Sequence, residues 1–273
     1  MTSPDAHQTS RPAGWESVSH DDPDQILPHV ITAKSRNYAG GTTPIHQHPR
    51  AQLIYAGLGV MRVETRSGCW VVPPLRGVWI PAFSEHRVMM LGEVHMRTLY
   101  FRDKAVPDLP DTCCLMEVSP LLRELILALV AEPLAYDRKG RGGLIAQLIL
   151  KELRFTKLPA LHLPVPTEPR LQQLCQALIA QPDSQQTLED WADHCHTTGR
   201  TLARLFHKET GMSFGHWRQQ ARLVDALGRL GKGEPVATVA QALGYRSTSA
   251  FTVMFKKVLG IEPSRYFAQT TAA

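Results

Sequence analysis

The chain carries HTTGRTLARLFHKETG at positions 196–211 and, about 49 residues later, GYRSTSAFTVMFKKVLG at positions 244–260. Each stretch contains a hydroxyl residue that can cap a helix, apolar residues at helical spacing and a final glycine that can end the helix. Basic side chains fall on the polar face of each predicted helix. A small basic helical unit that occurs twice predicts a pair of DNA-reading helices, and the upstream part of the chain should then supply control.

A shorter apolar segment precedes each of these helices. The first segment begins with Thr187 and Asp190, a start that resembles a capping box, and ends at a tight turn around residues 195–197. Gly244 allows a sharp turn before the second helix. A long helix predicted from Ser213 to about Leu230 fixes the separation of the two units. The sequence therefore predicts two helix-turn-helix units that can enter successive major grooves.

Positive charge is concentrated in the same region. Residues 196–273 hold eleven Lys or Arg against four Asp or Glu, whereas the rest of the chain holds 19 against 21. The net charge of +5 therefore comes from the C-terminal third, where contacts to DNA phosphates would be needed.

The residues around both helices carry a specific resemblance. FHKETGMSF at 206–214, GYRS at 244–247 and FKKVLGIEPSRY at 255–266 together resemble the DNA-binding domain of the AraC/XylS family of bacterial transcription regulators, over about 100 residues. The resemblance implies that Arg200 and Arg204 read bases from the first helix, as Thr248 and Ser249 do from the second. The full set of DNA-binding candidates is Arg200, Arg204, Lys208, Arg246, Thr248, Ser249, Thr252, Lys256 and Lys257.

The two reading helices are not equivalent. Val253 stands where many members of the family carry an arginine, so we expect the first helix to provide most of the sequence discrimination. Lys208, Lys256 and Lys257 fit either phosphate contacts, which we favour, or solvated helix ends.

Upstream, short β-branched and aromatic runs alternate with Gly, Pro and Ser between residues 30 and 102, which predicts an antiparallel barrel or sandwich. The predicted fold class is α+β with two domains. An N-terminal antiparallel β-barrel of cupin or jelly-roll type is followed by helices and then by an all-α domain with two helix-turn-helix units joined by a long helix. The expected segments are a flexible tail (1–25), the sensor barrel (26–104), a helical pair (105–157), a linker whose prolines block regular structure (158–167) and the DNA-binding domain (168–273).

Two motifs in the predicted barrel contain histidines. G-x5-H-x-H-x3-Q-x6-G at 40–59 and PAFSEH at 81–86 resemble the two cupin motifs, with Phe83 where glycine is usual. Because side chains alternate along a strand, His46 and His48 point to the same side, and His86 can join them from a facing strand. Gln52 stands where cupin enzymes usually supply a carboxylate.

Three interpretations of these side chains remain open. His46, His48, Gln52 and His86 can form a pocket that hydrogen-bonds an effector. The three histidines can instead hold a divalent transition metal, the candidate cofactor, because neutral imidazoles suit such ions. They can also be ordinary core or rim residues. The aromatic and sulfur side chains that could line a pocket, but that fit a plain core better, are Tyr55, Met61, Trp70 and Trp79.

Two apolar helices are predicted between the barrel and the linker. Ser119 and Pro120 form a helix start, and the glycines of 140–143 separate this helix from the next. Their leucine-rich faces fit either packing on the barrel and on each other or a dimer interface.

The remaining sequence features exclude several classes of protein. No apolar run is long enough to span a bilayer, the polar start is no signal peptide, and five scattered cysteines indicate reduced thiols in a cytoplasm. We therefore expect a cytoplasmic, homodimeric transcription regulator that binds double-stranded promoter DNA and a small-molecule effector, with RNA polymerase as a further partner if it is an activator. The rival is a metal-dependent cupin enzyme, an isomerase or dioxygenase, with an accessory helical domain.

Overall fold

The computed structural model of the protein describes residues 18–19, 25–66, 68–74, 76–102, 109–155 and 162–266. The flexible tail predicted for residues 1–25 lies outside these ranges, apart from residues 18, 19 and 25. Residues 158–161 of the predicted linker and residues 267–273 also lie outside them. Among the helices of the described ranges, none combines the length and the apolar character needed to cross a membrane.

The N-terminal part is built from strands that belong to two sheets. The seven-stranded sheet contains β1 (Val18–Ser19), β3 (Gly41–Thr42), β4 (His46–Gln47), β6 (Met61–Thr65), β7 (Gly68–Val72), β9 (His86–Met90) and β12 (His162–Pro164). The five-stranded sheet contains β2 (Ile31–Tyr38), β5 (Ala51–Leu58), β8 (Arg76–Ile80), β10 (Val94–Phe101) and β11 (Cys114–Glu117).

The closed barrel predicted from the sequence needs correction. The strand orders are β1-β4-β9-β6-β7-β12, with β3 beside β9, and β11-β8-β5-β10-β2. Every pairing in these ladders is antiparallel except the two-residue contact between β1 and β4. Within the described residues no ladder joins the two sheets, which meet through apolar faces rather than through hydrogen-bonded edges.

Strand β5 shows why the five-stranded sheet is buried on both faces. Ile54 and Ala56 belong to the core between the sheets, whereas Leu53 and Tyr55, which point the other way, belong to a second core formed with helices. These helices are α1 (Pro120–Val130) and α2 (Arg141–Glu152). The five-stranded sheet is thus the middle layer of a three-layer arrangement.

The ends of α1 and α2 follow local chemistry. Ser119 caps α1, as predicted, because its hydroxyl accepts a hydrogen bond from the Leu122 N–H at 3.1 Å. Helix α2 begins at Arg141, so Gly142 lies inside the first turn rather than in the predicted break. A Cβ at Gly142 would lie 2.7 Å from the side chain of Tyr136, so glycine permits this close packing.

The C-terminal part is helical. Its elements are α3 (Pro169–Ala180), α4 (Leu188–His194), α5 (Gly199–Thr210), α6 (Phe214–Gly231), α7 (Val236–Ala242), α8 (Thr248–Leu259) and α9 (Pro263–Tyr266). Thr187 and Asp190 form the predicted capping box of α4, and Thr198, Ser213 and Ser247 cap α5, α6 and α8. The Ser and Thr residues at cap positions in the sequence therefore identified the starts of these four helices.

Strand β12 connects the sheets with the helices. It pairs with β7, although the prolines of this segment were expected to block regular structure. Pro164 is tolerated because β12 is an edge strand, where a missing N–H need not break a ladder. Leu163 packs into the core formed by α3, α4, α5 and α6, and the indole N–H of Trp217 donates to the Pro164 carbonyl at 2.9 Å.

Candidate functional site

Helix α5 has an apolar face on one side and a basic face on the other. Leu202 and Phe206 are buried, whereas Arg200, Arg204 and Lys208 are exposed and recur at every fourth position. Residues four apart lie on one side of a helix, so the three cations form a stripe that points away from the core. No described side chain forms an ion pair with this stripe, so it is available to an external anion.

Helix α8 presents a different surface. Thr248 and Ser249 are exposed at its first turn, Thr252 is half-buried, and Val253 is 68% exposed. Because the Val253 side chain is exposed, it contributes little to the stability of the fold, but it can contact the methyl group of a thymine. At the end of α8, Lys257 is exposed and Lys256 pairs with Glu262 at 3.0 Å.

The turns before α5 and α8 have the same backbone hydrogen bond. The Thr197 N–H donates to the Ala192 carbonyl, and the Tyr245 N–H donates to the Ala240 carbonyl, both at 3.0 Å. The residue before each donor has a positive φ angle, which is 50° at His196 and 72° at Gly244. The second turn is one residue longer, as predicted, and Arg246 is the exposed additional residue before the Ser247 cap.

The three histidines of the N-terminal part lie together, as the sequence predicted. His46 on β4 is directly opposite His86 on β9, and their ring centroids are 4.3 Å apart. The His48 ring lies 5.2 Å from His86 and 6.0 Å from His46. All three side chains are buried, and one ring nitrogen from each lies within 4.8 Å of the others.

Hydrogen bonds to the backbone fix the orientation of all three rings. The Nδ1–H groups of His46, His48 and His86 donate to the carbonyls of Pro44, Arg50 and Ser84, at 2.9, 2.6 and 2.8 Å. A carbonyl can only accept, so each neutral ring carries its proton on Nδ1 and its lone pair on Nε2. The three rings are thus held in the tautomer that a metal or a hydrogen-bond donor requires.

The environment of His86 keeps this ring neutral. Burial, with a smaller contribution from His46, lowers the pKa of His86 to about 3. Among the described residues its Nε2 has no hydrogen-bond partner. Gln52 completes the cluster, because its Oε1 lies 3.0 Å from the Nε2 of His48 and its Nε2 lies 3.3 Å from the hydroxyl of Tyr100.

A cavity of about 360 Å³ opens beside this cluster. His46 and Gln52 line it, together with residues of β2 and β10 that the sequence did not single out. The missed residues include Lys34, Arg36, Thr98 and Tyr100. Strand β2 is mostly polar, so it lacks the apolar alternation that marks a cavity wall in the sequence.

The four large side chains considered as pocket lining belong to the cores instead. Tyr55 and Trp79 pack in the core with α1 and α2, and Met61 and Trp70 pack in the core between the sheets. None of them lines the cavity beside His46. They support the site only through the positions of the strands that carry it.

Phe83 explains why glycine is usual at its position. Its φ angle is 58°, in the left-handed region that glycine adopts without strain. Its N–H donates to the His48 carbonyl at 2.9 Å, which joins the two histidine motifs. The sequence also missed Arg50, whose buried guanidinium donates to the carbonyls of Gln25, Leu27 and His29 beside the cluster.

Comparison with known proteins covers both parts of the chain. The helix-turn-helix domain family matches residues 191–269. The HTH-type transcriptional regulator NimR of Escherichia coli (strain K12) is 40% identical over 230 residues, which cover 84% of each protein. RipA of Corynebacterium glutamicum, another HTH-type transcriptional regulator, is 34% identical over 110 residues, which cover 40% of this chain and 33% of RipA. A crystal structure of ToxT from Vibrio cholerae O395 is 12% identical, has a TM-score of 0.39, and covers 89% of this chain and 99% of that one.

The similarity to NimR decides between the two functions derived from the sequence. It extends far beyond the helix-turn-helix match and so includes most of the part that a cupin enzyme would need. The relatives are regulators of transcription, and the enzyme alternative is not supported. With its exposed basic stripe on α5, its matching helix-turn-helix domain and its similarity to NimR, the chain belongs to the AraC/XylS family of DNA-binding transcription regulators.

Proposed function

We propose that the protein recognises a specific promoter sequence through two helix-turn-helix units, α4–α5 and α7–α8. The observation that carries this proposal is the repeated turn, in which the N–H groups of Thr197 and Tyr245 bond to equivalent carbonyls. Each turn is followed by a capped helix with an exposed polar face. The 18-residue helix α6 between them has a length of about 27 Å, comparable to the roughly 34 Å between successive major grooves.

Helices α5 and α8 should play different roles in DNA recognition because their exposed side chains differ. Arg200 and Arg204 can form bidentate hydrogen bonds with guanine, whereas Thr248, Ser249 and Val253 offer shorter polar or apolar contacts. Lys208, Arg246 and Lys257 lie exposed at helix ends and suit phosphates. Lys256, which also pairs with Glu262, can join them, and Thr252, being half-buried, contributes at the edge of the surface.

A binding assay on the promoter beside the protein's own gene tests this assignment. We expect Arg204→Ala to weaken binding to the specific site roughly 5–100-fold while binding to unrelated DNA changes much less. Arg138→Ala is the matched control, because Arg138 is exposed on the loop between α1 and α2. Unchanged affinity of Arg204→Ala for the specific site at moderate salt would contradict the assignment of α5 as a base-reading helix.

We further propose that a small molecule in the cavity beside His46 controls the regulator. The cavity is large enough for a small ligand and combines polar and apolar lining residues. Thr98 is buried and faces this space, so Thr98→Phe should fill part of it. A reporter driven by the regulated promoter should then lose its response to growth conditions while promoter binding in vitro persists.

The proposed assembly is a homodimer formed through α1 and α2. The buried residues of these helices face the five-stranded sheet, but Leu121, Leu144 and Leu148 remain exposed. Leu144 and Leu148 lie one turn apart and form an apolar strip that a second copy can cover.

The segments proposed to act as units are the sensor (26–104), the helical pair (105–157), the linker (158–167) and the DNA-binding domain (168–273). The site of action is the cytoplasm, where bacterial promoter DNA lies.

A further inference from the structure

The two helix-turn-helix units have separate apolar cores, and α6 contributes to both. In its first half, Trp217 and Ala221 pack in the core that contains α4 and α5. Further along, Leu223 and Leu227 pack in the core that contains α7 and α8. The change from one core to the other falls at Arg222. Units with separate cores move relative to each other unless further contacts join them, so the contacts at this point of α6 matter.

The side chain of Arg222 connects the two units. Its Nε–H and Nη2–H groups donate to the carbonyls of Pro182 and Ser184, at 2.6 and 3.0 Å. These carbonyls belong to the loop 181–187, which leads directly into the first turn of α4. The guanidinium carbon also lies 5.7 Å from the ring centroid of Tyr245, close enough for a cation–π interaction. One side chain therefore contacts both the start of the first unit and the turn of the second.

The loop 181–187 also approaches the second turn directly. A Cβ on Gly244 would lie 2.9 Å from the carbonyl oxygen of Asp183 and 2.9 Å from the side-chain nitrogen of Gln185. The φ angle of Gly244 is 72°, so glycine permits both the turn and this close approach. The carbonyls that Arg222 binds are those on either side of Asp183, so Arg222 holds the loop at the place where it meets the turn.

Arginine is suited to this position by its geometry. The planar guanidinium offers several N–H groups in a fixed fork, so it can bind two carbonyls at once and still place its face over a ring. A lysine has the same charge but only a compact ammonium group. Arg222 is half-buried, so its hydrogen bonds are partly shielded from competing water.

We propose that Arg222 is a positioning residue that holds the two reading helices at the separation and angle required by successive major grooves. It acts through the loop 181–187 and Tyr245 rather than by contact with a base. Units that are already held in place lose less freedom on binding DNA, and they discriminate against sites whose halves are spaced differently. The inference rests on the DNA recognition proposed above, whereas the connection between the units does not.

Hydrogen–deuterium exchange of the full-length protein without DNA tests the connection. Arg222→Met removes the hydrogen bonds and the charge but keeps a long apolar stem. Peptides that cover 181–187 and 243–246 should exchange faster in this variant than in the parent, because both segments lose a contact. Peptides from α5 and β5 should exchange at the same rate in both proteins.

Arg229→Met is the matched control. Arg229 lies two turns further along the same helix and is also half-buried. Its ion pairs with Asp225 and Glu234, at 2.7 and 3.5 Å, involve only α6 and the segment that leads to α7. This control removes the same charge from α6 without touching the loop 181–187, so exchange in that loop should match the parent.

Binding to altered DNA tests the positioning role. The probes are the promoter fragment beside the protein's own gene, with half-sites located by footprinting, and the same fragment with one base pair inserted between them. The insertion moves one half-site by about 3.4 Å and rotates it by about 35°. The ratio of the two affinities should be roughly 2–30-fold smaller for Arg222→Met than for the parent. Arg222→Lys should recover only part of this ratio, because it restores the charge but not the fork.

The outcomes separate the alternatives. Unchanged exchange in both segments of Arg222→Met, or faster exchange throughout the protein, would overturn the connection. Full recovery of the affinity ratio by Arg222→Lys would show that charge alone matters and would overturn the positioning role. If Arg222→Met fails to fold, Arg222→Lys decides in the same two measurements, with smaller changes in the same direction expected and no change overturning the proposal.

Failure of DNA recognition gives a different result. A parent that prefers its promoter fragment no more than unrelated DNA would overturn the proposed recognition and the positioning role with it, while exchange would still decide whether Arg222 connects the units. A parent that binds its promoter specifically, with an affinity ratio equal to that of Arg222→Met, would overturn the positioning role alone.

Discussion

The imidazole of His162 stacks on the indole of Trp70, with ring centroids 4.5 Å apart and planes inclined by 22°. His162 begins the strand that connects the sheets with the helical part, and Trp70 is its direct partner on β7. A Cβ on the neighbouring Gly68 would lie 2.4 Å from the His162 ring, so the stack is tightly enclosed. The relative position of the two parts thus depends partly on an ionisable side chain.

This stack predicts a pH-dependent stability. Burial lowers the pKa of His162 below its ordinary value of 6.5, so the unfolded chain takes up the proton before the folded chain does. The free energy of unfolding should therefore fall as the pH decreases below about 6.5. His162→Phe keeps the ring stack without the charge, and its urea midpoint should fall less between pH 7 and pH 5.5 than that of the parent. An identical decrease in both proteins would show that His162 does not contribute.

The two reading helices should differ in sequence discrimination. Arg200→Ala should reduce the ratio of specific to non-specific affinity roughly 5–100-fold, because it removes a side chain that can bind guanine bidentately. Thr248→Ala should reduce that ratio less, since a hydroxyl makes a single and less selective contact. Competition binding with single-base variants of the promoter site measures both effects. Equal losses for the two variants would contradict the unequal roles of α5 and α8.

The turn before α5 carries removable strain. His196 adopts a φ angle of 50° at the position where the second unit has Gly244, so His196→Gly should stabilise the protein by up to about 1 kcal/mol. Gly244→Ala should destabilise it by at least about 1 kcal/mol. The added Cβ would lie 2.9 Å from the Asp183 carbonyl oxygen, and φ is 72°. Urea unfolding followed by circular dichroism measures both shifts, and shifts of the same sign would refute the comparison of the turns.

The leucine strip on α2 should control assembly. Leu144→Glu combined with Leu148→Glu places two charges on the proposed interface and should convert a dimer into a monomer of 30.4 kDa. Light scattering after gel filtration measures this mass directly. Ile179→Glu is the control, because Ile179 is an exposed apolar residue on α3, away from the strip. A parent protein that is already monomeric, or a double variant that remains dimeric, would exclude this interface.

Features that depend on neighbouring residues were predictable from the sequence. Each of four capping side chains accepts a hydrogen bond from a backbone N–H three residues later, namely those of Ser119, Thr187, Thr198 and Ser247. Each cap therefore depends on only four consecutive residues, which the sequence shows directly. The glycines that end α5 and α8 act equally locally, through φ angles of 70° and 79°. The exposed faces of both helices follow from the helical period alone.

Features that depend on distant pairing were predicted less well. Periodicity showed that the leucines of α1 and α2 form apolar faces, but not that Leu122 and Ile149 are buried while Leu144 and Leu148 are exposed. That division depends on which side of each helix meets the five-stranded sheet. Likewise, the sequence patterns that predict strands could not distinguish a closed barrel from two sheets, because the sequence of one strand does not determine which strand it pairs with.

By itself, the sequence determined the helix starts, the basic face of α5 and the three histidines as a group. The resemblance of its motifs pointed to the regulator family, which the comparison with NimR confirmed. Only the tertiary structure decided that His86 lies opposite His46, with a buried nitrogen that has no hydrogen-bond partner among the described residues, and that Lys34 and Arg36 share the adjoining cavity. The physical reason is that caps and helical faces arise from bonds between residues three or four apart, whereas this site depends on cross-strand register between segments some 40 residues apart.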